Sequence, residues 1–320
     1  MVAATFAFSL MSALAKAVGS TIPSQEIVLL RGVFTVALSY GTLRVLRIPA
    51  KGNQPRLLIV RGLFGFAALS AFFYAVIHLP LAAATVIHFT NPVFTAMIAA
   101  VVLAEPIRMR DSTSVVASLA GVVLIARPDF LFAGSGAGLD PLAVGIALAG
   151  ALLSACAYVT VRRLSATEHP LVIVHYFAMV TTIGAIPTAA SNLVWPSPVV
   201  WLGLAGVGVT THVAQLCMTR GLSLEPAGRA MAVGYLQIVF ATVWGLLFFS
   251  ERPDALSAVG AFLIIGSTAA LGRRRAVAQA GAPGGQGREP NAKAESGPAE
   301  PGEAERSHAE VRGTERRREP

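Results

Sequence analysis

Long apolar segments recur along most of the chain and are separated by short polar connections. Many of these segments hold roughly 15 to 23 apolar residues, and about 20 are enough to cross a bilayer as a helix. A helix satisfies its own backbone hydrogen bonds in lipid, so we predict an all-α integral membrane protein with ten transmembrane helices. The predicted spans are about 2–20, 26–43, 59–78, 81–103, 112–126, 141–161, 171–190, 199–219, 230–249 and 256–272.

The composition agrees with a membrane protein. Of the 320 residues, 54% are hydrophobic and only 13% are charged, against about 45–50% and about 25% in soluble domains. The mean hydropathy is +0.65 and the pI is about 10.2. Basic residues flank apolar segments and do not form an aromatic-interleaved face, so we expect a lipid bilayer and a small molecule as partners, and no nucleic acid.

The basic residues also predict the topology. With a cytoplasmic N-terminus, thirteen basic residues fall in the inside loops and after the last span, and only Arg127 and Arg252 fall outside. This asymmetry predicts that both termini are cytoplasmic, in a multi-pass protein of the inner (plasma) membrane. The inside residues are Arg44, Arg47, Lys51, Arg56, Arg108, Arg110, Arg162, Arg163, Arg220, Arg229, Arg273, Arg274 and Arg275.

The two ends of the chain differ in character. Residues 2–20 are expected to form a membrane helix rather than a signal peptide, because no basic residues precede the apolar stretch. Residues 276–320 are rich in Gly, Pro, Ala, Glu and Arg and have no apolar period. We predict a disordered cytoplasmic tail there.

An internal repeat appears when the chain is shifted by 146 residues. Under this shift Pro80 falls on Pro226, Phe89 on Tyr235, Asn91 on Gln237, Phe94 on Phe240, and Glu105 on Glu251. The repeat predicts two halves, 1–128 and 129–275, with five spans in each. Five is odd, so the second half enters the membrane with inverted orientation, an arrangement typical of secondary transporters with a site at the midplane.

The same stretches carry a family resemblance. The patterns "PLAAAT…NPVFTA…LAE" with "GVVLIARP", and the matching "EPAGRA…FATVWGLLFFSE", resemble the EamA-type transporters of the drug/metabolite transporter superfamily. The resemblance implies two inverted five-helix repeats around a central cavity, lined by the first, third and fourth helices of each repeat. It also implies transport of a small metabolite, often outward, but no particular substrate.

Breaks are predicted in the fourth and ninth spans. Pro92 removes a backbone donor and should bend its helix, which frees the His88 carbonyl. The shift places Gly234 opposite His88. We predict that Pro92 and Gly234 are conformational hinges, with a static kink as the alternative.

Polar side chains recur on one face of the fourth span. Thr85, His88 and Asn91 lie three residues apart and should face protein or water. Asn91 and Gln237 form a repeat-related pair of amides that could bind a substrate, or could join helices through hydrogen bonds. Tyr235 is a further candidate for substrate contact.

Deep basic residues add a preference for an anion. Placing a charge at mid-bilayer costs about 2.5–3.5 kcal/mol, so such residues are paired or functional. Lys16 and Arg31 are candidates for substrate attraction, with pairing to Glu26 as the alternative. Arg61 is expected to extend to the cytoplasmic surface, and Glu105 to pair at a helix end.

These features favour a secondary transporter of a small polar or amphipathic metabolite, with an amino acid or another carboxylate-bearing compound as the favoured substrate; export is what the family resemblance implies. The alternatives are an integral-membrane enzyme or a channel, but no H-x-x-H spacing or repeated carbonyl filter occurs. Cys156 and Cys217 have no metal-site spacing, and we expect no metal or cofactor. Stripes of small residues (Ala147, Ala151 and Ala155; Ala117 and Gly121) favour packing within one chain, with a homodimer as the alternative.

Overall fold

The protein is helical through most of the part that its computed structural model describes, which is residues 1–19, 21–79, 81–106, 109–126, 140–190, 193–250 and 255–280. These ranges hold twelve α-helices and one 3₁₀ turn, Val233–Tyr235. The helices are α1 Val2–Val18, α2 Ser24–Val45, α3 Pro55–His78, α4 Leu81–His88, α5 Asn91–Val102, α6 Met109–Ala126, α7 Pro141–Leu164, α8 Pro170–Ala189, α9 Pro198–Leu224, α10 Ala227–Ala232, α11 Leu236–Phe248 and α12 Ala255–Ala280.

The helix lengths fit a membrane protein. In the described ranges, seven segments are long and apolar enough to cross a bilayer: Gln25–Val45, Pro55–His78, Ala83–Val102, Pro141–Leu164, Pro170–Ala189, Pro198–Leu224 and Ala227–Phe248. Three further apolar helices are shorter, namely Val2–Val18, Asp111–Ala126 and Ala255–Ala270. The predicted class, an all-α membrane protein, is confirmed.

Several helices begin at a proline, whose missing N–H has no partner in a first turn anyway. Pro55, Pro141, Pro170 and Pro198 are the first residues of α3, α7, α8 and α9. Three of these starts are also capped: the Asp140 carboxylate accepts from the Leu142 N–H at 3.1 Å, the His169 Nδ1 from the Leu171 N–H at 3.2 Å, and the Ser197 hydroxyl from the Val200 N–H at 3.5 Å. These signals fix where the helices enter the apolar layer.

The helix contacts repeat themselves within the molecule. Helix α1 packs against α9 and α11, and α7 packs in the same way against α3 and α5. Helix α2 packs against α8. The 146-residue shift exchanges the members of these pairs, so the sequence repeat is also a repeat of contacts.

Two glycines make the repeated contact visible at atomic detail. A Cβ at Gly62 would lie 2.7 Å from the Val180 Cβ, and a Cβ at Gly208 would lie even closer to the Phe34 Cβ. The shift carries Gly62 onto Gly208 and Phe34 onto Val180. Only a residue without a side chain allows the helices to approach this closely.

Small residues are used for packing inside the chain. A Cβ at Gly121 in α6 would lie 2.6 Å from the Gly260 carbonyl oxygen in α12. Nearby, the Ser118 and Ser267 hydroxyls are 2.6 Å apart. Ala147, Ala151 and Ala155 are also buried. Packing within one chain therefore accounts for these stripes, and a homodimer stays a prediction.

Residues Met1–Gln279 form one compact unit. Helix α12 continues to Ala280, so the first five residues of the predicted tail are helical. The remaining tail residues lie outside the described ranges. Pro80, Glu251 and Arg252, which the repeat and the topology invoke, also lie outside them.

Candidate functional site

A cavity of about 540 Å³ lies at the centre of the helices. Its wall includes residues of α1, α3, α7 and α9 and of both interrupted spans, together with residues of α2 and α8. At one end it reaches Gly19, just after α1. The volume suits a small organic ligand, for which cavities of about 300–1,000 Å³ are usual.

Most of the predicted site residues meet at this cavity. Thr85, His88, Asn91, Gln237 and Arg31 line it, as do the predicted hinges Pro92 and Gly234. Lys16 and Tyr235 are not among its lining residues. The sequence thus predicted five of the side chains that line the cavity. It did not predict that Lys16 and Tyr235 point elsewhere.

The first interrupted span breaks where Pro92 removes a donor. Helix α4 ends at His88, and α5 begins at Asn91. The Asn91 Nδ2 donates to the His88 carbonyl at 2.9 Å, so the side chain supplies the hydrogen bond that the proline nitrogen cannot. Asn91 is 4% exposed. The amide nitrogen of Asn91 therefore stabilises the break between α4 and α5.

The second interrupted span breaks by a different local structure. Helix α10 ends at Ala232, the 3₁₀ turn Val233–Tyr235 follows, and α11 begins at Leu236. Gly234 lies in this turn and contributes to the cavity wall. A Cβ at Gly234 would have only the Met231 methyl within 4 Å, at 3.9 Å. The glycine leaves room in the cavity rather than resolving a clash.

Aromatic rings surround the first break. The His88 ring centroid lies 4.7 Å from that of Phe72 and 5.7 Å from that of Phe89. Phe89 in turn contacts Tyr235 at 6.0 Å between centroids. Tyr235 is fully buried, and its hydroxyl makes no hydrogen bond within the described residues. This residue packs the two breaks together instead of facing the cavity.

Lys16 lies near the end of α1. Its Nζ is 4.5 Å from the centroid of the Phe249 ring, just after α11. Glu26, which was a candidate partner, accepts a hydrogen bond from the Val194 N–H at 3.0 Å. Lys16 therefore belongs to one end of the helix bundle.

Arg61 is the functional candidate that the sequence argument missed. It was expected to extend to the cytoplasmic surface, and this expectation is wrong: Arg61 is 2% exposed and lines the cavity. Its guanidinium carbon lies 3.9 Å from the centroid of the Phe177 ring. The Nε and Nη1 atoms are buried without a hydrogen-bond partner. A buried cation with free donors has the chemistry to bind an anion.

Arg31 is the second cation on the wall. Its Nη1 lies 3.7 Å from the Met11 sulfur, which is a weak acceptor. Among the described residues the charged side chains on the wall are Arg31 and Arg61, and no carboxylate joins them. The cavity therefore carries an excess of positive charge.

The 146-residue shift shows that both cavity arginines belong to the first half and have uncharged counterparts in the second half. It places Phe177 opposite Arg31 and Val207 opposite Arg61. Gln215, another lining residue that we had not singled out, has a buried Oε1 without a partner. Comparing the two halves position by position is the sequence signal that could have found these residues.

A network of ionic hydrogen bonds joins the two halves at the end of the bundle away from Gly19. The Arg162 Nε lies 2.9 Å from Glu105 Oε1, and Glu105 Oε2 accepts from the Ala227 N–H at 2.8 Å. Arg162 Nη1 also donates to the Leu222 and Ser223 carbonyls, at 3.1 and 2.7 Å. Glu105 thus pairs at a helix end, as the sequence suggested.

A second ion pair lies close to this network. Arg229 Nη2 is 3.3 Å from Asp111 Oδ1, and Arg229 Nη1 is 3.8 Å from Glu225 Oε2. Together the two sets of contacts tie α5, α6, α7, α9 and α10 to one another. Among the described residues, no three His, Cys, Asp or Glu side chains are grouped so as to hold a metal ion.

Comparison with known proteins agrees with this architecture. The chain is 35% identical to the pseudopaline exporter CntI of Pseudomonas aeruginosa, over 86% of this chain and 95% of that protein. It is 25% identical to an S-adenosylmethionine uptake transporter of Rickettsia prowazekii, over 68% of this chain and 72% of that one. A solved crystal structure that is 20% identical shares the fold, with a TM-score of 0.72 over 85% of this chain and 98% of that chain.

The family assignment rests on most of the sequence. The model of the EamA-like transporter family matches residues 1–127 and again residues 141–273. The relatives are transporters and not enzymes, which confirms that expectation from the sequence. The resemblance to the drug/metabolite transporter superfamily is confirmed as well. The chain is a multi-pass membrane transporter that belongs to the EamA-like transporter family.

Proposed function

We propose that this protein exports a small carboxylate-bearing metabolite across the plasma membrane through the central cavity. Transport occurs by alternating access, in which the cavity opens to one side of the membrane at a time. Pro92 and Gly234 act as the hinges. The two halves, residues 1–128 and 129–275, form five-helix inverted repeats with both termini in the cytoplasm.

The contacts of the helices support the inverted repeats. Seven long and three short apolar helices in the described ranges add up to the ten spans of the proposal. The exchanged contacts of Gly62 with Val180 and of Gly208 with Phe34 fit a pseudo-two-fold axis between the halves. A cavity on that axis, between interrupted helices, is the arrangement by which inverted-repeat transporters bind their substrates.

The observation that carries the substrate class is the unpaired guanidinium of Arg61. The planar guanidinium matches a carboxylate with two parallel hydrogen bonds, and it remains charged at any physiological pH. Its Nε and Nη1 donors have no partner within the described residues. A carboxylate that accepts from one of these donors also compensates the charge of the guanidinium.

The direction of transport is supported by one comparison, because the relative with 35% identity is named as an exporter. The shape of the cavity agrees with alternating access in either direction. The cavity reaches Gly19, which the proposed topology places outside, whereas the contacts of Glu105 and Arg162 tie the cytoplasmic ends together.

A binding panel tests the substrate class. Purified protein in detergent is heated with amino acids, organic anions, nucleosides, cationic drugs, pseudopaline and S-adenosylmethionine. A ligand at 100 times its Kd adds about 2.7 kcal/mol of stability. We expect stabilisation by carboxylates, lost in Arg61→Gln and kept in the control Arg220→Gln, whose side chain is exposed. Stabilisation by cations alone, such as the sulfonium S-adenosylmethionine, contradicts the proposal.

The topology has its own test. Cysteines introduced after residue 272 are offered a membrane-impermeant thiol reagent in intact cells, in a chain in which Cys156 and Cys217 are replaced by serine. We expect no labelling from outside until the cells are opened. Labelling from outside overturns the cytoplasmic C-terminus.

A further inference from the structure

We infer that the transported metabolite carries at least two negative charges and that the membrane potential, negative inside, drives its export. This inference rests on the proposed function and makes it more specific. It concerns the number of charges that the cavity takes up and the source of energy, neither of which follows from binding a carboxylate alone.

The first step is the charge of the empty cavity. Arg31 and Arg61 both line it, and no carboxylate does so within the described residues. Arg61 has two buried donors without a partner, and the hydrogen-bond contact of Arg31 is to a methionine sulfur. Within the described residues neither guanidinium is paired with a carboxylate, although Arg31 is only partly buried, so a ligand can supply the counter-charge for both.

The second step is that the neighbouring carboxylates, Glu26 and Glu105, have hydrogen-bond partners away from the two arginines. Glu26 is 2% exposed and accepts from the Val194 N–H at 3.0 Å. Glu105 is bound by Arg162 and by the Ala227 N–H. Neither carboxylate is on the cavity wall, and within the described residues neither forms a salt bridge with Arg31 or Arg61.

The third step is the chemistry of a charge in a low-dielectric site. Buried charges are stable when they are paired and hydrogen-bonded. A ligand with one carboxylate leaves one guanidinium uncompensated, whereas a ligand with two satisfies both. The cavity therefore selects dicarboxylates and larger polyanions over monoanions of the same shape.

The energetic consequence is large. Moving one elementary charge across 100 mV is worth about 2.3 kcal/mol, which is about a 50-fold accumulation at equilibrium. Two charges give about 2,000-fold. In a cell with a negative interior this gradient points outward for an anion, so export needs no coupling ion.

A matched pair of probes tests the charge requirement. N-acetylglutamate and N-acetylglutamine have the same shape and differ by one negative charge. We expect N-acetylglutamate to stabilise the detergent-purified protein at a concentration at least about 10-fold lower. In Arg31→Gln this preference should fall to within about 2-fold, while Arg220→Gln should keep it.

The outcomes separate the two proposals. Equal stabilisation of the wild-type protein by both probes overturns the two-charge requirement and leaves carboxylate binding intact. Stabilisation by neither probe at 10 mM, on the order of the weakest useful affinity, overturns carboxylate binding itself. A preference that persists in Arg31→Gln overturns the role of that arginine.

Flux measurements test the driving force. In liposomes with a potassium diffusion potential of 30 mV, N-acetylglutamate should accumulate about 10-fold on the positive side, against about 3-fold for a carrier that moves one charge. Such an equilibrium does not depend on how the protein is oriented in the vesicle. Accumulation that follows an imposed pH gradient instead of the potential overturns the inference.

Discussion

The two walls of the cavity are built from matching positions but carry different chemistry. The first half contributes Arg31 and Arg61, and the second half has Phe177 and Val207 at the matching places. The guanidinium of Arg61 lies over the ring of Phe177, so one half supplies the charge and the other supplies its support. The duplication preserved how the helices pack, while the residues on the cavity wall diverged.

The two interrupted spans differ in the same way. The first is broken by Pro92 and stabilised by the Asn91 side chain, whereas the second has a 3₁₀ turn around Gly234. The two helices are thus interrupted at matching positions, but by different local structures. A hinge of each kind would let the two ends of the cavity open with different ease.

The glycine contacts provide the largest expected effect. Gly62→Ala and Gly208→Ala each place a Cβ against the facing helix, and overpacking costs about 1–3 kcal/mol. We expect both variants to unfold at lower temperature in detergent, with Gly208→Ala near the upper end because its Cβ would lie closer to Phe34. Gly41→Ala is the control, since nothing lies within 4 Å of its Cβ. A loss of stability in one variant alone would mean that the two glycine contacts are not equivalent in the two halves.

The aromatic support of Arg61 gives the next effect. Phe177→Leu keeps most of the volume but removes the ring under the guanidinium. A desolvated cation–π contact is worth about 2 kcal/mol. The contact also holds the guanidinium in the free protein, so only part of this energy should appear in the Kd for a carboxylate ligand, as a rise of up to about 30-fold. The control is Phe73→Leu, which changes another ring on the same wall. Isothermal titration with equal losses for both variants would mean that the ring only fills space.

The two repeat-related amides should respond differently. Asn91→Ala leaves the buried His88 carbonyl without its 2.9 Å donor, so we expect about 1 kcal/mol lower stability. Gln237→Ala should leave stability nearly unchanged and weaken ligand binding about 5- to 10-fold, the loss of one hydrogen bond of about 1 kcal/mol. Thermal unfolding with and without ligand separates the two effects. Wild-type binding and transport in both variants would remove the amides from the site.

Much of the fold could be predicted from the sequence because lipid restricts the choices. Apolar length gave most helix ends to within a few residues, although α9 and α12 run five and eight residues past their predicted ends. The 146-residue shift pointed to both breaks. Arg61 was misjudged because α3 was predicted to begin at about residue 59. The helix begins at Pro55, which places Arg61 almost two turns inside, and the preference of proline for a first turn was the available signal.

The direction of individual side chains was harder to predict. Lys16 and Tyr235 lie at predicted spans, but one contacts Phe249 and the other packs against Phe89, so neither faces the cavity. A repeat fixes which helices are neighbours, whereas the rotation of each helix depends on packing against all of them. The bond from Asn91 to the His88 carbonyl depends on backbone geometry in the same way.

The smallest effect tests whether Asn91 acts because Pro92 follows it. In Pro92→Ala the new N–H can donate to the His88 carbonyl, so the Asn91 side chain becomes dispensable for the break. Asn91→Ala should therefore cost about 0.5–1 kcal/mol less stability in the Pro92→Ala background than in the wild type. Additive losses would mean that Asn91 stabilises the protein through other contacts. If the rebuilt helix also lowers the turnover of a ligand that still binds, the break is a moving part of the cycle, and unchanged turnover would make it a static kink.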